Sequence, residues 1–69
     1  MKTGIYQHYK GALYNVTQLV KHSETEEELV LYQCQYGDFS WWVRPKAMFF
    51  ESIIKEGQSI ERFKWLREA

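Results

Sequence analysis

The sequence is poor in the residues that hold small domains together covalently or through metals, with one cysteine, one proline and two histidines among 69 residues. Because Cys34 has no second cysteine to pair with, the disulfide scaffolds of small secreted proteins are excluded. No apolar stretch approaches the roughly 20 residues of a membrane-spanning helix, and residues 1–10 lack the apolar core of a signal peptide. These absences predict a cytoplasmic protein without a membrane partner.

An excess of one charge is also missing, since nine basic residues balance nine acidic ones. A chain without net charge has no global field that would draw it onto nucleic acid or an anionic membrane. Any nucleic-acid interaction would therefore need a local basic patch.

Catalytic and metal-binding motifs are absent as well. There is no nucleophile elbow, no phosphate-binding glycine loop and no His-Glu-x-x-His sequence. His8 and His22 are the side chains able to act as bases near neutral pH, but His8 shares a predicted strand face with Tyr6 and His22 opens an exposed loop, so neither is expected to be catalytic. Together with Cys34, they lie on separate predicted segments without the spacing of zinc ligands. The sequence predicts no enzyme activity, catalytic residue, metal site or cofactor.

Aromatic residues are abundant, with three Trp, five Tyr and four Phe. Each can bury roughly 150–250 Å² of surface, which compensates for the small core that so short a chain can form. We expect a single domain over residues 1–69 with an ordered core of about residues 4–66. The aromatic content indicates a tight barrel, a binding surface, or both.

Period-two patterns and turn residues predict a mostly β fold, a small SH3-like barrel of about five strands with one short helical turn. The helical turn is expected at residues 45–49, begun by Pro45. A helical turn over residues 61–68 is an alternative for the end of the chain. The predicted strands cover residues 4–10, 12–21, 28–36, 39–44, 50–55 and 59–65.

The faces of two strands follow from this alternation. Residues 28–36 should direct an apolar face inward; that face comprises Val30, Tyr32, Cys34 and Tyr36. In residues 39–44 we expect Trp41 and Val43 to point inward, and Trp42 and Arg44 to project from the opposite face. The apolar types of three later residues predict core positions, namely Met48, Phe49 and Phe63.

Several ordered motifs together resemble a known family. They span residues 4–66 and comprise Gly4-x-Tyr6-x-His8-Tyr9-Lys10-Gly11-x-x-Tyr14-x-Val16, His22-Ser23-Glu24-Thr25 with Glu27, Val30-x-Tyr32, Trp42-Val43-Arg44-Pro45-x-x-Met48-Phe49, and Gly57 with Arg62-Phe63. The chain is similar to domain-of-unknown-function family 1653. The resemblance implies a small bacterial protein with an SH3-like barrel and implies no biochemical activity. Glu26 and the pair Trp41-Trp42 depart from the expected family pattern.

The candidate partner-binding residues come from two motifs that are too polar to be all core. Arg44 beside the indole of Trp42 can form a cation–π contact, while the alternative is that this pair only closes the barrel. The acidic segment from Glu24 to Glu28 favours a solvated hairpin tip, from which Glu24 could reach Arg44 or His8. The full set is Tyr6, His8, Tyr9, Glu24, Trp42 and Arg44. The leading hypothesis is a non-enzymatic binding module for a protein segment or small ligand.

Nucleic-acid binding is the alternative prediction. The final segment alternates cations with aromatic side chains, a pattern that can track phosphates and stack bases. The residues concerned are Arg62, Lys64 and Trp65. A third hypothesis is an accessory or structural subunit, and the chain is expected to be a monomer or a weak homo-oligomer.

Overall fold

The computed structural model describes residues Met1–Ala69, which form seven strands and one short helix. In chain order these are β1 (Gly4–His8), β2 (Leu13–Lys21), β3 (Glu28–Cys34), β4 (Trp41–Pro45), α1 (Lys46–Phe49), β5 (Ser52–Lys55), β6 (Gln58–Glu61) and β7 (Phe63–Arg67). Five strands form one antiparallel sheet in the order β4-β3-β2-β1-β7, and β5 and β6 form a separate hairpin. No helix has the length and apolar character needed to cross a membrane.

The mostly β prediction is confirmed, but the predicted closure of the sheet is not observed. Strands β4 and β7 are the two edges of the five-stranded sheet and do not pair with each other. Side chains connect these edges instead, because the guanidinium of Arg44 in β4 lies 5.4 Å from the ring centroid of Phe63 in β7. The sheet is therefore open, with its two edges near one aromatic cluster.

The core lies on one face of this sheet and is mainly aromatic. Its buried cluster consists of Tyr6, Val16, Val30, Tyr32, Phe49 and Phe63. The rings of Phe49 and Phe63 stack in parallel with centroids 4.1 Å apart. These two core predictions and the buried position of Cys34 are confirmed. Met48 is half exposed, contrary to prediction, because the four-residue helix α1 directs Phe49 into the core instead.

Three predictions at or near the strand ends are wrong. The segment predicted as one strand over residues 59–65 is divided near Arg62, because β6 pairs with β5 whereas β7 pairs with β1. The pairing of β7 with β1 also replaces the alternative helical turn over residues 61–68. Tyr36 is half exposed rather than inward-facing, since β3 ends at Cys34 and Gly37 turns the chain at φ 61°.

Candidate functional site

The register of β4 on β3 reverses the predicted faces of β4. Trp42 lies opposite Tyr32 and Arg44 lies opposite Val30. Because residues directly opposite each other share a face, Trp42 and Arg44 are on the core side of the sheet. Trp41 and Val43 lie on the outer side, where the prediction had placed Trp42 and Arg44.

The free edge of β4 presents unpaired backbone groups. The backbone N–H of Cys34 donates to the carbonyl of Ser40 over 2.9 Å. Since hydrogen-bonded and non-bonded pairs alternate along an antiparallel ladder, Trp42 and Arg44 also bond to β3. The N–H and C=O groups of Trp41 and Val43 therefore point away from the sheet. Pro45 lies two positions after Val43, so its backbone nitrogen also points away from β3, and it loses no ladder bond by lacking an N–H.

Large apolar side chains cover the same edge. Trp41, Trp42 and Val43 are 53%, 56% and 50% exposed. Tyr36 and Phe39, in the preceding turn, are about as exposed, so five of the nine exposed large hydrophobic residues lie between positions 36 and 43. We call this region, residues 36–43 with the free edge of β4, the β4 surface.

The opposite edge of the sheet is protected in the usual way. Strand β7 carries the exposed cations Lys64 and Arg67 and has a bulge in its pairing with β1. Charges and bulges on edge strands discourage the addition of another strand. In β4 the sole charged residue, Arg44, is half-buried on the core side, so the stretch Trp41–Val43 has no such protection.

A cationic cluster lies on the core side next to β4. Arg44 and His8 both contact the ring of Phe63, with the His8 ring centroid at 4.9 Å. The Nδ1 atom of His8 accepts a hydrogen bond from the backbone N–H of Lys10 over 3.1 Å, so neutral His8 carries its proton on Nε2. Both side chains therefore present hydrogen-bond donors.

Burial and surrounding cations lower the pKa of His8 below its ordinary value of 6.5. Burial is the larger cause, followed by the charges of Arg44, Arg62 and Lys10. Burial disfavours the charged imidazolium, and each nearby cation repels it. His8 is therefore neutral at physiological pH.

We expect nuclear magnetic resonance titration of the His8 ring to give a pKa below 6.5. Arg44→Gln should raise this pKa because it removes one repelling charge, whereas Lys21→Gln in the distant β2–β3 hairpin should not. The unfolded chain retains the ordinary pKa and binds the proton first, so the free energy of unfolding should decrease as the pH falls through 6.5. A measured pKa at or above 6.5 would contradict this account.

The remaining predicted partner-binding residues are scattered. Tyr6 is buried, and its hydroxyl donates to the carbonyl of Lys2 over 2.7 Å. Burial and then the charge of Glu61 raise the pKa of Tyr6.

Tyr9 packs on His8 with ring centroids 4.5 Å apart. Glu24 is exposed in the β2–β3 turn and makes no ion pair with Arg44 or His8. The structure thus brings together His8, Tyr9 and Arg44, with Trp42 further along β4.

The hairpin tip follows the sequence-based interpretation more closely. All residues from His22 to Glu28 are exposed, as expected for a solvated turn. The hydroxyl of Thr25 accepts a hydrogen bond from the backbone N–H of Glu27 over 3.2 Å and shapes the turn. Of the acidic residues in this segment, Glu28 pairs with Lys46 over 3.8 Å, and none forms an ion pair with Arg44 or His8.

Three aromatic residues in or next to the β4 surface were not among the predicted site residues, namely Tyr14, Tyr36 and Phe39. The hydroxyls of Tyr14 and Tyr36 lie 3.1 Å apart, and this hydrogen bond raises the pKa of Tyr36. The Tyr14 ring also meets those of Tyr32 and Phe63 edge to face, which connects the β4 surface to the core. Tyr14 alternates with Val16 on β2, and that signal could have placed it on the core face.

The residues of the nucleic-acid alternative do not form one surface. Arg62 pairs with Glu51, with nitrogen and oxygen 3.6 Å apart. Trp65 packs against the core, and its Nε1 donates to the carbonyl of Thr3 over 3.1 Å. Lys64 is exposed. One face of the Trp65 indole is already covered by the ammonium of Lys2, at 4.1 Å from the ring centroid.

An open cleft of about 480 Å³ lies beside His8, between residues of β1, β6 and β7. Two of its eight lining residues are hydrophobic. Small-molecule sites are mostly apolar and enclosed, so this cleft has little of their character. No three His, Cys, Asp or Glu side chains are grouped in a way that could hold a metal ion.

Comparisons with known proteins agree with the predicted resemblance. The model of the family described as protein of unknown function (DUF1653) matches residues 4–65. The crystal structure of a DUF1653 protein from Bordetella bronchiseptica superimposes with a TM-score of 0.91 at 25% sequence identity, covering 100% of this chain and 91% of that one. No curated protein matches the chain. The chain belongs to the DUF1653 family, whose function is unknown.

Proposed function

We propose that this chain is a non-enzymatic binding module, built on an open SH3-like sheet, that binds an extended protein segment along β4. The observation that carries the proposal is the stretch Trp41–Val43 of the β4 edge, which lies before Pro45 and has outward backbone groups at Trp41 and Val43 between half-exposed apolar side chains. Such an edge is a template for a further strand, and main-chain hydrogen bonds supply the affinity in this mode of recognition.

A protein segment fits the β4 surface better than the other partners considered. The cleft beside His8 is open and mostly polar, which does not favour a small ligand. In the final segment the indole of Trp65 is packed and Arg62, just before β7, is paired with Glu51, which does not favour nucleic acid. A cytoplasmic location and a monomeric or weakly oligomeric state belong to the same proposal.

Two proline substitutions separate the free side of β4 from its bonded side. Val43→Pro removes an N–H that points outward, and edge strands tolerate proline at such positions. Trp42→Pro removes an N–H that bonds to β3, which leaves a carbonyl of β3 without its partner. We expect Trp42→Pro to lower the free energy of unfolding by about 1–3 kcal/mol more than Val43→Pro, as measured by urea denaturation. If both variants lost the same stability, the assignment of outward N–H groups to Trp41 and Val43 would be wrong.

Selection from a random ten-residue peptide library tests the function itself. The wild-type chain should enrich peptides that, in nuclear magnetic resonance titrations, shift the amide signals of Trp41 and Val43. Folded Val43→Pro should lose binding of these peptides, because the added strand loses a main-chain hydrogen bond and meets the proline ring. Failure to enrich any peptide, or equal binding to Val43→Pro, would overturn the proposal.

A further inference from the structure

Arg44 lacks an acidic partner within the chain. The two ion pairs of the structure join Lys46 to Glu28 and Arg62 to Glu51. No hydrogen bond from the Arg44 side chain is formed, and its guanidinium contacts the ring of Phe63. The charges that act on neighbouring His8 are all positive. A half-buried guanidinium has five N–H donors suited to a carboxylate, so this position favours an acidic group from a partner.

The parity of β4 determines which partner residues would meet Arg44. Arg44 and Trp42 share the core side and bond to β3, so they are the non-bonded positions of the free edge. In an added antiparallel strand, side chains opposite non-bonded positions approach most closely. The residue opposite Arg44 then lies two positions before the residue opposite Trp42, on the same face.

We propose that the segment bound along β4 carries an acidic side chain opposite Arg44, followed two positions later by an apolar side chain opposite Trp42. This inference rests on the proposed function. The apolar residue would cover the half-exposed indole, whose Nε1 already donates to the hydroxyl of Ser40 over 2.8 Å. The acidic residue would pair with the guanidinium above Phe63. Recognition therefore combines one charge pair with one apolar contact.

A second copy of the chain does not supply this pattern. Strand β4 has the sequence Trp-Trp-Val-Arg-Pro and contains no acidic residue. If two copies paired Trp41 with Val43 so that their outward groups bonded, Arg44 would lie opposite Ser40. If Val43 instead paired with its own counterpart, Trp41 would meet Pro45, which has no N–H to donate. If Trp41 paired with its own counterpart, Arg44 would lie opposite Asp38, but Phe39 has φ 55° and interrupts the extended backbone before that residue. The charge of Arg44 therefore favours an acidic segment of another protein.

The peptide library tests this inference through a charge swap. On the wild-type chain, enriched peptides should share Asp or Glu two positions before an apolar residue. On Arg44→Glu, verified as folded by circular dichroism, Lys or Arg should replace the acid. If Arg44→Glu does not fold, Arg44→Gln serves instead and should remove the acidic preference. Arg67→Gln, on the opposite edge strand, should enrich the same peptides as the wild type.

A double-mutant cycle measures the pair directly. Changing the acid of an enriched peptide to its amide should weaken binding to the wild-type chain about 3- to 10-fold and leave binding to Arg44→Gln within about two-fold. The inference would be overturned if the enriched peptides had no acidic preference, or if this preference were unchanged on the Arg44 variants. In either case the proposal that β4 is the docking edge would still stand. If the wild-type chain enriches no peptide, the proposed function fails as well. If ultracentrifugation showed that the chain self-associates and that Val43→Pro abolishes this association, a second copy would be the occupant of β4. That result would also overturn the inference.

Discussion

Replacing Phe49 by alanine should destabilise the chain by about 3–5 kcal/mol, the usual cost of removing a buried phenylalanine ring. Phe49 is 0% exposed and stacks on Phe63 with ring centroids 4.1 Å apart. It also meets Tyr6 and Tyr32, with centroids at 5.4 Å and 5.9 Å. Its ring therefore joins α1 to three strands of the sheet.

The expected loss is large in relation to the total. At about 0.05–0.15 kcal/mol per residue, a chain of 69 residues has roughly 3–10 kcal/mol of stability. Helix α1 has four residues and cannot be stable without tertiary contacts. We therefore expect Phe49→Ala to be partly or wholly unfolded in the absence of denaturant, as measured by circular dichroism and urea titration.

The neighbouring phenylalanine provides a matched control. Phe50 is 43% exposed, although its ring touches that of Phe49 with centroids 5.1 Å apart. Phe50→Ala removes the same atoms from a position that water already reaches, so its cost should be less than half that of Phe49→Ala. If the two variants lost equal stability, Phe49 would not be the central contact of the core.

Replacing Gly4 by alanine should have the second largest effect. Gly4 is buried at the start of β1 with φ 130°, a conformation that L residues rarely adopt. A Cβ atom there would overlap the carbonyl oxygen of Arg67 and lie 3.1 Å from Nε1 of Trp65. The carbonyl belongs to the backbone of β7, so the pairing of β1 with β7 would have to shift. Backbone strain of about 1–3 kcal/mol and overpacking of about 1–3 kcal/mol should both contribute.

Gly11→Ala separates these two contributions. Gly11 also has a positive φ, 108°, but a Cβ atom there would meet nothing within 4 Å. This variant should show the strain alone, so urea denaturation should place its stability between those of the wild type and Gly4→Ala. A Gly4→Ala variant no less stable than Gly11→Ala would show that the β1–β7 junction accommodates the methyl group.

Local alternation predicted the faces of β3, because the polar Gln33 and Gln35 alternate with apolar residues in and directly after this strand. In β3, Val30, Tyr32 and Cys34 are buried as predicted, because successive side chains of a strand point to opposite faces. Strand β4 offers no such contrast, since Trp41, Trp42 and Val43 are all apolar. Its faces depend on the register with β3, and the sequence-based assignment was reversed.

For the candidate site too, the sequence predicted some features and the structure alone gave others. His8 and Arg44 were singled out from their residue types, and the structure places both against Phe63. Pro45 is a sequence signal for an edge strand, because it has no N–H to donate. It does not identify the outward backbone groups of Trp41 and Val43, which depend on the register with β3. Glu24 was expected near Arg44, but the long hairpin formed by β2 and β3 carries it away.

The sequence by itself determined a mostly β fold with an aromatic core, the approximate positions of the strands before residue 56, and the family. Composition, period-two alternation and ordered motifs are local properties, and they remain valid whatever the strands pair with. Only the tertiary structure decided that β4 and β7 stay unpaired, that the final segment divides between two sheets, and that Trp42 and Arg44 face the core side. These features depend on pairing between distant segments, which the pattern within any one strand does not specify.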